Sequence, residues 1–307
     1  MGKSNLKIAV IMTVYNRRVK TIACLDSLQE THRVTSTNAE YEVFITDDGC
    51  TDGTVQAVEG RNYEFGMHIV AGDGSLFWNG GMIKAWEAAI EFSPDFDGFL
   101  WLNDDVILLP DFWTDIDSLY VSGRLAEGIY VGSTKDPYSG QLTYGGFDFV
   151  NRWTLADRFV EPDGKSLQPC QCAHGNITFV TKGVVDKMGI FYDGYVHGAG
   201  DHDYTYRAYK AGFPVCVLPH YAGLCANDHR EDGYADFLKM KFSDRIAYLN
   251  SPFGFNLHNT LLFQKRCFPH RYAFVWVAGY LKAFFPNMYM KAYYILRRNH
   301  NNGNDES

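Results

Sequence analysis

The segment Gly98-Phe-Leu-Trp-Leu-Asn-Asp-Asp105 joins a continuous apolar run to a polar, acidic end. A short apolar run of this kind is typical of a strand that is buried on both faces of a sheet. At its end, the adjacent carboxylates of Asp104 and Asp105 repel each other unless a cation or a hydrogen-bond donor compensates them. A divalent metal bound to diphosphate oxygens is one such compensator, and an ordinary turn that favours aspartate is the other interpretation.

Strands and helices alternate on the N-terminal side of this segment. The patterns predict strands over 7–14, 41–46 and 67–71, and helices over 17–29 and 81–92. This alternation predicts an α/β fold with a mostly parallel central sheet flanked by helices. The carboxyl ends of such strands share one edge, where open α/β sheets bind their ligands. We therefore expect the turns 13–16, 47–49 and 103–105 to converge.

From residue 128 onward the pattern changes. It predicts strands or hairpin arms over 129–133 and 142–150, a loop over 151–169, a strand over 176–180, helices over 182–188 and 201–211, and a last strand over 215–218. The aromatic segment 268–298 is divided by Pro286 and predicts two helices. These helices either anchor the protein at a membrane interface or pack on the core or on another subunit of a homo-oligomer. The tail 299–307 is predicted to be disordered.

Composition narrows the classes of partner. The formal net charge of -8 argues against nucleic-acid binding, although a metal can still bring one phosphorylated ligand to an acidic protein. The seven cysteines lack zinc-site spacing and predict reduced thiols in a cytosol. The apolar stretch 272–281 is too short to span a bilayer. We predict a cytoplasmic protein, with peripheral attachment to the inner face of the plasma membrane as the alternative that the aromatic segment allows.

Two turns are candidates for nucleotide binding. Tyr15 offers an aromatic face for a base, and Asp48 offers an acceptor for a base N–H group. Two ordinary strand-to-helix turns are the alternative. No Gly-rich loop with lysine and no G-x-G-x-x-G follows the first strand, which argues against a P-loop kinase and a dinucleotide enzyme.

Two glycine-containing segments complete the candidate site. In Gly198-Ala-Gly-Asp-His-Asp203, acids begin a helix, and Asp201 is either a general base or simply the helix cap. In the segment 72–81, Trp78 and Asn79 either contact a donor sugar or belong to a buried connection.

Taken in order, four segments resemble the family 2 glycosyltransferases, inverting enzymes of the GT-A fold that include bacterial polysaccharide glycosyltransferases. The segments are Ile11–Arg17, Asp47–Gly53, Leu102–Val106 and Gly200–Arg207, within residues 5–230. The resemblance implies a GT-A domain over 1–230, with a nucleotide-binding half over about 1–127 and an acceptor half over 128–230. A helical extension over 231–298 would follow it.

The resemblance also implies roles for individual residues. The nucleotide would be bound by Thr13, Tyr15, Asn16, Asp48 and Asp104, a Mg2+ or Mn2+ ion by Asp105 and His229, and the donor sugar or acceptor by Trp78, Asn79 and Asp203, with Asp201 as the catalytic base. The sequence departs from the family pattern at Asn103, where many relatives carry aspartate, and at Gly200, where many carry glutamate. The second departure keeps Asp203 as another candidate for the base, although orienting the helix or pairing with Arg207 is favoured for it.

The implied function is inverting transfer of a sugar from a UDP- or dTDP-sugar to a hydroxyl of a glycan or lipid-linked acceptor. A nucleotidyltransferase that makes sugar nucleotides is an alternative, but it usually has a basic Gly-rich loop after the first strand. A non-catalytic subunit that binds nucleotide sugars is another alternative, and loss of Asp105 or Asp201 would favour it. Both residues are present.

Overall fold

A computed structural model describes residues 5–227, 233–289 and 291 of the chain. The chain divides into two compact units, Met1–Asn227 and Asp228–Ser307.

The first unit begins with a parallel sheet. Its elements are β1 (Leu6–Val14), α1 (Arg18–Thr35), β2 (Ala39–Asp47), α2 (Thr54–Glu59), β3 (Gly66–Ala71), α3 (Phe77–Phe92) and β4 (Gly98–Leu102). The strands lie in the order β3-β2-β1-β4, and every neighbouring pair among them is parallel. The predicted α/β class is confirmed, and the turns after β1, β2 and β4 lie at one edge of the sheet.

A short strand and a helix follow β4, namely β5 (Ile107–Leu108) and α4 (Pro110–Val121). No helix or strand was predicted here from the sequence. Pro110 lies in the first helical turn, where its missing N–H is harmless. The sheet is covered on both faces. Alternate residues of β1 belong to two separate cores, with Val10 in the core that holds α4's Phe112 and Ile11 in the core that holds α3's Trp86.

The sheet continues with mixed strand directions. The next elements are β6 (Ile129–Lys135), β7 (Leu142–Tyr144), β8 (Gly146–Phe149), β9 (Asp157–Phe159), β10 (Gln168–Pro169), β11 (Cys172–Ala173), β12 (Ile177–Thr181), α5 (Lys182–Met188), α6 (Gly200–Lys210) and β13 (Val215–Leu224). β12 lies antiparallel between β4 and β6, and β13 is parallel to β6. The central sheet therefore runs from β10 to β3.

A small second sheet corrects two expectations. The segment predicted as one strand or hairpin arm over 142–150 divides at Gly145. A side chain would not fit there, since a Cβ would lie 2.5 Å from Oγ of Ser133. β7 joins the central sheet, whereas β8 pairs with β9 and β11 in a three-stranded sheet. β9 and β10 also lie within 151–169, which was predicted to be a loop.

The second unit is helical in the part that is described. It contains α7 (Gly233–Lys239), α8 (Phe242–Asn250), α9 (Leu257–Cys267), a 3-10 turn (Pro269–Arg271) and α10 (Tyr272–Phe284). Phe237, Leu249, Leu257 and Ala283 form its core. α10 ends just before Pro286, where a break was predicted. In residues 5–227, 233–289 and 291, we find no helix with the length and apolar character needed to cross a bilayer.

Candidate active site

The acidic turn at the end of β4 is held by a cation from β1's turn. Nη1 of Arg17 lies 3.2 Å from Oδ1 of Asp104 and 2.8 Å from Oδ2 of Asp105. The hydroxyl of Thr21 donates to Oδ2 of Asp104 at 3.3 Å. Burial raises the pKa of Asp104 to about 6 although Arg17 opposes that shift. The predicted repulsion between the two carboxylates is therefore compensated here by a guanidinium group.

The oxygen-rich character of this turn fits a hard divalent cation. Among the described residues, no three His, Cys, Asp or Glu side chains are placed to hold a metal ion together. Asp105 is the residue of this turn that is predicted to bind the metal. His229, the second predicted metal ligand, lies outside the described residues.

The turn after β1 is tied to the turn after β2. Oδ1 of Asn16 accepts hydrogen bonds from the backbone N–H groups of Thr51 at 2.7 Å and Asp52 at 3.2 Å. Asn16 itself has a left-handed backbone, with φ of 51°. These contacts give Asn16 a structural role in the predicted nucleotide site. They leave Tyr15 56% exposed, as a residue that stacks on a base must be.

Thr13 and Asp48 face the start of α3. The hydroxyl of Thr13 packs against Gly81, where an added Cβ would clash with it. The carboxylate of Asp48 is 4% exposed and accepts hydrogen bonds from the backbone N–H groups of Gly74 at 2.9 Å and Phe77 at 3.0 Å. Asp48 thus holds the loop between β3 and α3. Its predicted contact with a base edge would share a carboxylate already bonded to this loop.

Trp78 connects the acidic turn to the start of α6. Its indole Nε1–H donates to Oδ1 of Asn103 at 2.8 Å. On its other side, a Cβ added to Gly175 would lie 2.9 Å from the Trp78 ring and 3.2 Å from Cβ of Asp201. The departure at Asn103 therefore provides the acceptor that orients this indole.

Asp201 lies in the first turn of α6, with its side chain 13% exposed. Oδ2 accepts the backbone N–H of Gly175 at 2.8 Å, and Oδ1 accepts the N–H of His202 at 2.9 Å. Nε2 of His202 is 3.9 Å from Oδ2. Two backbone donors fix the direction of the carboxylate, and a general base must be held within hydrogen-bond reach of the hydroxyl that it deprotonates.

Asp203 is placed differently from Asp201. Its side chain is 1% exposed, and Oδ2 accepts from Nε of Arg207 at 2.9 Å. The structure thus gives Asp203 the ion pair that the sequence favoured, and does not bring it to the surface that Asp201 and Trp78 share.

The structure therefore brings Thr13, Tyr15, Asn16, Asp48, Asp104 and Asp105 to one edge of the central sheet. Trp78 links this edge to Asp201, Asn79 packs against Gly200, and Asp203 is buried. Arg17 and Gly175 were not predicted as site residues. Arg17 is the last residue of the motif Ile11–Arg17. The predicted convergence of the turns could therefore have placed it near the acidic turn. Gly175 carries no pattern, because its role is the close approach of Trp78 and Asp201.

Comparison with known proteins supports the predicted family and fold. The model of the family described as "Glycosyl transferase family 2" matches residues 9–122, which include three of the four motifs. This part of the chain is similar to glycosyl transferase family 2. A search of curated proteins gives no match. The predicted resemblance to family 2 is confirmed over residues 9–122 of the predicted region 5–230.

Solved structures extend the likeness beyond the family 2 region. The mannosyltransferase PcManGT from Pyrobaculum calidifontis, in complex with GDP-Man and Mn2+, is 16% identical, with 91% of this chain and 76% of that chain covered and a TM-score of 0.54. Residues 1–349 of S. aureus TarS are 15% identical, with 91% and 81% covered and a TM-score of 0.53. The same TarS fragment with UDP-GlcNAc is 16% identical, with 87% and 73% covered and a TM-score of 0.54. These neighbours show the GT-A fold, and family and fold together support a glycosyltransferase.

Proposed function

We propose that this protein transfers a sugar from a UDP- or dTDP-sugar to a hydroxyl of a glycan or lipid-linked acceptor, with inversion at the anomeric carbon. The observation that carries the proposal is the position of Trp78. Its indole donates to the acidic turn through Asn103 and packs beside Asp201. A donor held by its diphosphate at Asp105 would then place its sugar beside Trp78, on the side where the proposed catalytic base Asp201 lies.

In this proposal, Asp201 accepts the proton of the attacking hydroxyl as the new glycosidic bond forms and the bond to the diphosphate breaks. Asp105, with His229 as the second predicted ligand, would hold a Mg2+ or Mn2+ ion, which would neutralise charge that develops on the departing nucleoside diphosphate, and Asp104 would lie near the ribose. The nucleobase of the donor would stack on Tyr15, beside Thr13 and Asp48. A Mn2+ ion and nucleotide sugars are present in the neighbours' complexes.

The proposal is tested by incubation of the protein with UDP- and dTDP-sugars, Mn2+ and candidate glycan or lipid-linked acceptors. A thermal-shift screen with Mn2+ selects the donor first. Acceptor-dependent release of nucleoside diphosphate supports transfer. Formation of a nucleoside triphosphate that depends on pyrophosphate would instead identify a nucleotidyltransferase, and tight donor binding without turnover would identify a non-catalytic subunit.

A further inference from the structure

One nitrogen of Arg17 lies between the two carboxylates of the acidic turn. Nη1 is within 3.2 Å of an oxygen of Asp104 and within 2.8 Å of an oxygen of Asp105. The carboxylate side chains are 8% and 14% exposed, whereas the Arg17 side chain is 47% exposed. The guanidinium therefore approaches a shielded anionic pair from the solvent side.

The other oxygen of each carboxylate is already used by the protein. Oδ2 of Asp104 accepts from the hydroxyl of Thr21, and Oδ1 of Asp105 accepts from the thiol of Cys225 at 3.7 Å. Arg17 contacts one oxygen of each carboxylate, so a metal ion bound at the acidic turn would meet the guanidinium there. A metal ion and Arg17 thus compete at this turn.

We propose that Arg17 takes the place of the metal in the donor-free enzyme and moves to the donor's diphosphate when a metal binds. A guanidinium next to a divalent cation is repelled, and a phosphate is a favourable bidentate partner for it. Arg17 lies just before α1, and its exposed side chain has room to move. The second half of this inference rests on the proposed function, because it needs a diphosphate donor.

The first half is tested with Mn2+ alone, by electron paramagnetic resonance of free Mn2+ in titrations without donor. Arg17→Gln is expected to bind Mn2+ about tenfold more tightly than the wild type, because one charge-assisted competitor is removed. Arg18→Gln is the matched control, because this variant loses the same charge at the neighbouring position. The guanidinium of Arg18 lies beside Gly53. Equal Mn2+ affinity of the two variants would overturn the proposal.

Two further variants test whether the charge of Arg17 is responsible and whether the ion binds at the acidic turn. Arg17→Lys keeps the charge without the planar fork and is expected to bind Mn2+ with an affinity between those of the wild type and Arg17→Gln. The double variant of Arg17→Gln with Asp105→Asn is expected to lose the gain, which assigns the bound ion to the acidic turn. A gain that survives Asp105→Asn would place the ion elsewhere and contradict the proposal.

The second half is tested by calorimetry with UDP and with uridine in the presence of Mn2+. Arg17→Gln is expected to weaken UDP binding about tenfold and to leave uridine binding unchanged relative to Arg18→Gln. Equal effects on both ligands would contradict a contact with the diphosphate. A protein that binds neither ligand would instead refute the proposed function, and the Mn2+ titration would still decide the first half.

Discussion

Asn79 explains why this chain has glycine at position 200, where glutamate is the usual residue. A Cβ added to Gly200 would run into Oδ1 of Asn79. Nδ2 of Asn79 donates to the carbonyl of Tyr192 at 2.9 Å, while its Oδ1 is buried and accepts no hydrogen bond within the described residues. Asn79, which the sequence predicted as a donor-sugar contact, thus packs against the backbone that presents Asp201. The role at the donor stays a prediction.

This contact predicts energetic coupling between the two positions. Gly200→Ala is expected to lower the free energy of unfolding by about 1–3 kcal/mol, because the added methyl overpacks a buried site. In combination with Asn79→Ala, most of that cost should disappear, since the obstructing amide is gone. Urea unfolding of the wild type, both single variants and the double variant measures the coupling. Strictly additive costs would show that the two residues do not contact each other.

The contact of Arg17 with the acidic turn was not predicted from the sequence and is seen only in the structure. The acidic turn predicted a compensating cation, and a metal was the compensator considered. The guanidinium comes from a turn 88 residues earlier in the chain. Its position depends on the parallel pairing of β1 with β4, which places the two turns side by side. A sequence motif can identify a residue of the site, but it does not show which side chain that residue contacts.

Lys282 of α10 is a half-buried cation in the helical unit. Burial lowers the pKa of its ammonium to about 8, and the ring of Phe255, with its centroid 4.1 Å from Nζ, opposes that shift. A base with a lowered pKa in the folded state costs stability while it is protonated. This cost is relieved as the pH rises through about 8 toward the ordinary value of 10.5.

Lys282→Met is therefore expected to raise the free energy of unfolding by about 1 kcal/mol at pH 7, because no charge is then buried. The difference between wild type and variant should shrink between pH 8 and 10. Thermal unfolding of both proteins across this range measures it. A variant that is less stable at pH 7, with a deficit that does not change with pH, would mean that the contact with Phe255 outweighs burial.

The strands differ in how well the sequence predicted them. β4 was predicted over 98–102 and is found there, because a strand buried on both faces reads as one apolar run. The 142–150 segment was harder, since its pattern is that of a strand throughout. It divides at Gly145, and its two parts pair with different sheets, which is a tertiary arrangement that the local pattern does not carry. α4 carried signals, with Pro110 at its start and Phe112, Ile116 and Leu119 on one buried face.

On the scale of the molecule, the order of the motifs was sufficient for the fold. Parallel strands place their ends at one edge, so the turns 13–16, 47–49 and 103–105 had to meet. The contacts that build the site could not be predicted in this way. Trp78 reaches Asn103, and Gly175 donates to Asp201, across segments whose spacing carries no periodic signal. The acceptor and the partners of the C-terminal helices stay predictions.

The central claim is that Asp201 deprotonates the acceptor during metal-assisted transfer. Its most direct test is the acceptor-dependent release of nucleoside diphosphate by Asp201→Asn, with Asp157→Asn on the exposed β9 as the control. We expect turnover of Asp201→Asn to fall at least about 100-fold while its affinity for donor and Mn2+ stays within about twofold of the wild type. Wild-type turnover in Asp201→Asn would contradict the account.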